Sequence, residues 1–548
     1  MKSSDERVWR PAARFALALT AAIVLLTFRR YGVSWDEEVQ SQYGQAIYDY
    51  YISGFTDRRY DQIFNLYLYG GMFDGLAAWI NAYTPFDIYA TRHLLNASVG
   101  LIGLWGTWRL GRLIGGEAAG FASLVLLLFT PMYYGHMFNN PKDIPFAAGV
   151  VWILYYMAKS LRSFPHVSRS LVLKLGTVLG LTLGVRVGGV MLLIFWIIAL
   201  EALAMSMIWP DLRRFPEKEL LRRAFRLDLL LARLIIPAAV ISYSVMLLCW
   251  PWAQEAPLTN PLKALMQFSN FPNYVEVLLN GVTYPSTELP WYYLPVYFGV
   301  QLPLPHILLI VSGAGLLPSI MRNLKPKTNR YVLLLLLLTA FAPPFFAIVK
   351  KPALYDGVRH FIFTLPPLCV LAALALRRMA AIFWKNIRET CSRRLRIWIG
   401  AAAALTLVII AAFHVRTYAL LHPYEYIYLN TIAGGVKGAY GRYELDYWGS
   451  SFKEAAERLQ ELVNLEGGVP AGKIIRIAIC GPWSGATLYL PPDYAAVEAD
   501  KPAEFFLSTT RWQCQNMRSG EEIIRVERLG APLSVVKDLR NEKDYKPE

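Results

Sequence analysis

The sequence predicts a polytopic α-helical membrane protein of about eleven spans that ends in a small α/β unit outside the membrane. Three observations predict it. The 548-residue chain is 55% hydrophobic, too apolar for an ordinary soluble protein of this length. Long apolar runs, such as 15–28, 122–134 and 332–349, are broken by short basic stretches. Beyond about residue 416 the apolar pattern stops, and a polar, glycine-containing stretch leads into helix- and strand-like segments.

Taking roughly twenty apolar residues per crossing, the spans centre near residues 20, 102, 126, 153, 178, 197, 241, 305, 340, 368 and 408. The N-terminus is basic over 1–14 and apolar over 15–28, then reaches Arg29-Arg30 without a small-x-small cleavage signature. An uncleaved first span is expected. The loops 1–14, 109–112, 159–174, 211–226, 322–330 and 377–396 carry most of the Lys and Arg and are the expected cytoplasmic side. The net charge of +15 is thereby distributed in short loops, which excludes a nucleic-acid binder. An odd number of spans puts the C-terminal unit outside.

Two outer loops are long. In 35–81, Val39, Tyr43, Ile47 and Tyr50 recur three or four apart, as in a helix lying flat in the headgroup layer. The loop 251–290 is rich in Pro, Asn and aromatic residues and runs into Trp291-Tyr292-Tyr293. These aromatics fit an interfacial belt or the walls of a sugar site. The fifth and sixth spans join tightly at Gly184-Val185-Arg186-Val187-Gly188-Gly189, which brings Arg186 to the outer surface. It reads as a snorkelling arginine or as one that pairs with a phosphate.

The C-terminal unit, 421–548, reads as an amphipathic helix over 451–463 and strands over 474–479, 504–508 and 522–527, separate from a membrane domain over 1–420. Cys480 and Cys514 fall in it, as a disulfide or as two buried thiols. Cys249, Cys369 and Cys391 lie in or beside spans. No internal repeat is visible.

Two acidic signals fall on the outer side: Ser34-Trp35-Asp36-Glu37-Glu38 after the first span, and His136-Met137-Phe138-Asn139-Asn140-Pro141-Lys142-Asp143 after the third. Acids at a membrane lip are costly unless solvated, paired or used. Asp36 suits a general base on an acceptor hydroxyl, or a solvated helix cap. Asp143 suits a second site acid, a partner of Lys142, or a cap of the fourth span. Lys142, Arg186, Lys350, Lys351, Arg359 and His360 are outer cations able to hold a departing anion. Basic residues on this side oppose the positive-inside bias, which favours a functional reading of Leu354-Tyr355-Asp356-Gly357-Val358-Arg359-His360-Phe361. His136 with Asp36 and Asp143 would suit Mg²⁺ or Mn²⁺ better than Zn²⁺, but no His/Cys cluster stands at metal-ligand spacing. No cofactor is expected. With no P-loop and no GxGxxG after a strand, a soluble nucleotide-sugar donor is unsupported.

The acidic pair after the first span, the Asn-Asn-Pro-Lys-Asp loop after the third and the Tyr-Asp-Gly-x-Arg-His segment resemble the GT-C superfamily. The resemblance is to its lipid-carrier-dependent glycosyltransferases, related to protein O-mannosyltransferases and to the aminoarabinose transferase of lipid A, and covers about residues 10–420. It implies a bacterial inner-membrane enzyme with a periplasmic active site. An undecaprenyl-phosphate-linked sugar would be the donor, transferred with inversion to an envelope lipid, glycan or protein. By position Asp36 and Asp143 match the two catalytic acids, with Glu37 orienting Asp36. Lys142, Arg359 and His360 would contact the donor phosphate, joined by Arg186 on the phosphate-pairing reading given above. The rival class, a transporter or lipid flippase, lacks support from repeats or paired broken helices.

Overall fold

The computed structural model describes residues 4–211, 215–269 and 274–541. Residues 1–3 of the basic N-terminus, 212–214 of the loop 211–226 and 270–273 of the long loop 251–290 lie outside the described residues. Among the described residues, nine helices are long and apolar enough to cross a membrane.

Helix α1 (Ser4–Thr27) leads into the first long loop, which carries α2 (Glu37–Ile52) and α3 (Met72–Ala82). On α2, three of the four residues of the expected stripe, Tyr43, Ile47 and Tyr50, are buried, and Val39 is half-buried. Asp74 of α3 pairs with Arg92 of α4 (Ile88–Leu128) at 2.5 Å, both buried, and so fixes α3 to the bundle. Helix α4 turns back on itself at Gly116, whose φ of 81° and ψ of −177° are open essentially to glycine alone. A Cβ at Gly120 would meet the Trp108 carbonyl, and one at Gly111 the Ser123 side chain, so the two arms run antiparallel in close contact. They are the spans expected near 102 and 126.

The chain continues through α5 (Pro131–Asn139), α6 (Asp143–Ser163), α7 (Arg169–Leu183), α8 (Val190–Ile208) and α9 (Glu217–Leu248). Gly176 and Gly180 let α7 approach Ile241 and Ser242 of α9 closely. The second long loop holds α10 (Pro251–Glu255), α11 (Asn260–Ser269), the hairpin β1 (Glu276–Leu279) and β2 (Val282–Pro285), and α12 (Tyr293–Gln301). Four helices follow: α13 (Leu304–Asn323), α14 (Asn329–Lys350), α15 (Leu365–Thr390) and α16 (Arg393–Leu421).

Burial separates core from periphery. The most apolar stretch of α6 is 78% buried and that of the segment Arg359–Thr390 is 83% buried, against 11% for α13 and 6% for α16. An apolar helix left so bare is stable against lipid and would be a liability in water. The basic loops meet at one end, around the Gly116 turn. Glu117 takes Arg10 at 2.6 Å and Arg112 at 2.9 Å, and Arg162 at the far end of α6 donates to the Leu113 carbonyl at 2.8 Å. The N-terminus of α6, about 30 Å away at 1.5 Å per residue, opens on the other end.

There the C-terminal unit sits. After α17 (Gly435–Ala439), helix α18 (Phe452–Leu465) buries Phe452, Ala455, Ala456, Leu459 and Val463. The strands β3 (Ile475–Cys480), β4 (Tyr494–Glu498), β5 (Phe505–Thr509), β6 (Glu521–Arg528) and β7 (Ala531–Asp538) form one sheet in the order β4-β3-β5-β7-β6, with α19 (Trp483–Thr487) between β3 and β4. The β3 pairs with β4 and β5 are parallel, those of β7 antiparallel. Of the two readings of Cys480 and Cys514, the disulfide holds: Cys480 ends β3 and Cys514 lies in the turn after β5.

Candidate functional site

Both acidic loops arrive at the open end of the bundle and are tied there by backbone contacts. Ser34 donates its hydroxyl to the Asn139 carbonyl at 3.1 Å, and Trp35 donates its backbone N–H to the Trp448 carbonyl at 3.2 Å. A Cβ on Gly135 of α5 would strike the backbone of Tyr426, so the second loop packs this closely only with glycine there.

Asp36 occupies the N-cap position of α2, yet its side chain makes no cap bond. It is 47% exposed and stands 3.4 Å from Arg359, so the helix-cap reading gives way to a carboxylate facing the open end beside a guanidinium. Glu37 turns the other way. It is buried, accepts the Ser34 N–H at 2.7 Å and meets His93 at 3.1 Å. The Ser-x-x-Glu spacing favours this back-bond onto the chain, and Glu37 does not touch Asp36 through its side chain.

Asp143 is buried at the start of α6 and pairs with Arg186 at 2.6 Å. The expected Lys142 pairing is therefore replaced, and Arg186 is no snorkelling residue. Nor is Asp143 the cap of α6. Asn140 does that work, its Oδ1 accepting the Asp143 N–H at 3.0 Å. This fixes the amide orientation, so Asn140 Nδ2 donates to Asp143 Oδ2 at 2.8 Å and to His136 Nδ1 at 2.7 Å. His136 Nε2 then donates to the Tyr447 hydroxyl at 2.8 Å. Burial pushes the imidazole down to about 3, so it stays neutral. Both its nitrogens are engaged in hydrogen bonds here and neither is directed at Asp36. Among the described residues no group of three or more His, Cys, Asp or Glu is placed to hold a metal ion.

Lys142 makes no ion pair among the described residues. Its ammonium lies 3.9 Å from the centre of the Tyr69 ring, which also has Arg186 at 5.9 Å. Burial pushes this ammonium down to about 8, with Asp74 partly opposing. Arg359 is buried, lies over the rings of Tyr355 and Trp448, and meets Asp356 at 3.2 Å. His360 packs edge-on to Tyr355. Lys350 and Lys351 are exposed, and among the described residues neither pairs with any of these groups.

The structure adds a residue that sequence reasoning missed. Arg511, in the turn after β5, donates to Asp356 at 2.8 Å and to the Tyr447 carbonyl at 2.8 Å, and lies 3.5 Å from Glu444. Burial pushes the Glu444 carboxyl up to about 7 although Arg511 pulls the other way. No spacing signal could place residue 511 beside residue 356.

The arrangement is a half-exposed carboxylate with cations around it at the mouth of an apolar bundle. Asp36, Asp143 and Asp356 face Lys142, Arg186, Arg359 and Arg511. Lys142, without a carboxylate of its own, is left to meet an anion. Buried ion pairs contribute little net stability, so their value here is in fixing side-chain geometry.

No protein-family model and no curated protein matches the chain. Among solved structures it is similar to ArnT from Cupriavidus metallidurans bound to undecaprenyl phosphate, at 13% identity over 97% of this chain and 99% of that one, with a TM-score of 0.46. It is also similar to the archaeal oligosaccharyltransferase AglB from Archaeoglobus fulgidus in complex with an inhibitory peptide and a dolichol-phosphate. That match has 13% identity, covers 92% of this chain and 70% of that one, and has a TM-score of 0.47.

Proposed function

We propose that the protein is an inverting, GT-C-type glycosyltransferase that moves a sugar from a polyprenyl phosphate, such as undecaprenyl phosphate, to a hydroxyl acceptor on the outer side of a bacterial inner membrane. The observation that carries this reading is the half-exposed Asp36 beside Arg359, with Lys142 and the Arg186–Asp143 pair completing a cationic mouth at one end of the apolar bundle. Asp36 accepts the proton of the acceptor hydroxyl as that oxygen bonds to the anomeric carbon. The bond from that carbon to the phosphate oxygen breaks on the opposite face, and its electrons leave with the phosphate. Lys142, Arg186 and Arg359 hold the departing anion. Asp143 positions Arg186, and Glu37 shapes the turn that presents Asp36. Catalysis is assigned to the membrane domain, 1–420, and 421–548 is assigned as an outer domain.

Native mass spectrometry of the purified protein tests the donor. Undecaprenyl phosphate should bind more tightly than undecaprenol, its uncharged counterpart, and Lys142→Gln should erase most of that preference without breaking an ion pair. Equal affinity for the two lipids in the wild type would sink the donor assignment.

A further inference from the structure

A cavity of about 340 Å³ lies between the β1–β2 hairpin, the segment around Tyr440–Asp446 and the turn that carries Arg511. This volume is within the range of small-molecule sites. Two of its aromatic side chains are held by their polar edges and keep ring surface open. Trp512 donates its indole N–H to the Glu276 carbonyl at 3.2 Å and is 44% exposed. Tyr440 takes an N–H from Gln515 at 3.5 Å and is 39% exposed. Gln513 and Asn516 add amides to the same wall.

The turn is built at a cost. Trp512 and Gln513 have φ of 53° and 56°, consecutive left-handed residues that are not glycine, at roughly 1 kcal/mol each or more. The Cys480–Cys514 disulfide and the bonds from Arg511 to Asp356 and Tyr447 keep it in place. Strain held by such bracing points to a surface that must keep its shape.

Charge narrows the ligand. Arg511 is the cation of this wall, and it is occupied by Asp356 and Glu444. An anionic group would find no free partner. Glu276, exposed on the same wall and in no ion pair among the described residues, disfavours an anion further. Ring surface next to amide donors and acceptors, with no cation free to pair, fits an uncharged, hydroxyl-rich ring: its C–H face stacks on the aromatics and its hydroxyls bond the amides.

The cavity adjoins the site already described. Trp512 packs edge-on against Trp35, the residue before Asp36, with ring centres 5.8 Å apart. From the cavity wall, Glu444, Arg511, Asp356, Arg359 and Asp36 follow one another at 3.5, 2.8, 3.2 and 3.4 Å.

We propose that this cavity binds a saccharide unit of the acceptor, stacked on Trp512 and Tyr440 and hydrogen-bonded by Gln513 and Asn516, beside Asp36. The assignment as acceptor rests on the transfer reading above; the binding of a saccharide does not. Saturation-transfer NMR on the full-length protein in nanodiscs tests it, with mannobiose and N,N′-diacetylchitobiose as probes and a serine-containing peptide as a contrasting acceptor. A disaccharide should receive saturation in the wild type. The signal should vanish in Trp512→Ala and fall severalfold in Asn516→Ala, while undecaprenyl phosphate still binds both variants. Saturation of neither disaccharide, of the peptide alone, or undiminished in either variant overturns the cavity assignment. Disaccharide binding through Trp512 and Asn516 in a protein that ignores undecaprenyl phosphate upholds the cavity and overturns the donor reading instead.

Discussion

Arg511 of the C-terminal unit and Asp356 of the membrane region meet at 2.8 Å, 155 positions apart in sequence, and both are almost fully buried. Asp356 also holds Arg359, so the outer unit reaches the carboxylate of Asp36 through three successive ion pairs. Removing one member of a buried pair strands the other, at a cost of roughly 3–5 kcal/mol. Arg511→Gln is therefore expected to destabilise the protein by about that amount, read as a lowered midpoint in thermal unfolding of the detergent-solubilised protein. Unfolding that matches wild type would show that the contact is not formed in solution.

Lys142 gives the site a pH dependence. Its ammonium is pushed down to about 8 by burial, and an anion is held only by the charged form. Affinity for undecaprenyl phosphate should fall as pH rises through about 8, by about tenfold per unit at most. Lys142→Arg should flatten that slope, because a guanidinium keeps its charge. Stability moves the opposite way. The unfolded state binds the proton more tightly than the folded state, so stability rises with pH from about 8 towards the ordinary lysine range. Donor titrations at pH 7 and pH 9 check the first point and unfolding curves the second.

Asn140 joins Asp143 to His136 with both donors of one amide. Asn140→Ala leaves a buried carboxylate oxygen and a ring nitrogen short of a donor, worth about 1–3 kcal/mol. Turnover should drop by about tenfold or more, with the donor affinity set by Lys142 changed much less. A loss confined to donor affinity would mean that Asp143 and its partners serve binding alone.

Gly116 turns the long helix α4 back on itself at φ 81°. Gly116→Ala should cost about 1–3 kcal/mol, far from the site and without effect on the affinity for undecaprenyl phosphate. Thermal unfolding beside a donor titration separates the two quantities.

Much of this was legible in the sequence because the signals are local. Apolar runs locate helices, and basic loops locate the end where Arg10, Arg112 and Arg162 gather. The three-and-four spacing of Tyr43, Ile47 and Tyr50 gave the buried face of α2. In the C-terminal unit the expected strands over 474–479, 504–508 and 522–527 correspond to β3, β5 and β6. Strands β4 and β7 were not anticipated. Tyr494–Glu498 is a short edge strand next to Pro491 and Pro492, and Ala531–Asp538 contains a proline and no regular alternation. The β1–β2 hairpin was hidden in the loop 251–290 because its Asn280-Gly281 turn joins strands of only four residues each.

The site was legible as a set of candidates and not as a set of pairings. Asp36, Asp143, Arg186 and Arg359 converge, but that Arg186 takes Asp143 while Lys142 turns to Tyr69 depends on loops distant in sequence. Glu37 reads as a neighbour of Asp36, yet successive residues at a helix start point in different directions, and Glu37 is drawn inward by His93. Arg511 carries no motif, and only the folded sheet brings it to Asp356.

The most direct test compares envelope glycans by mass spectrometry after deletion of the gene, with wild type restored in one strain and Asp36→Asn in another at equal protein levels. One sugar mass should disappear on deletion and return only with wild type. Glycans unchanged by deletion, or fully restored by Asp36→Asn, would contradict transfer through Asp36.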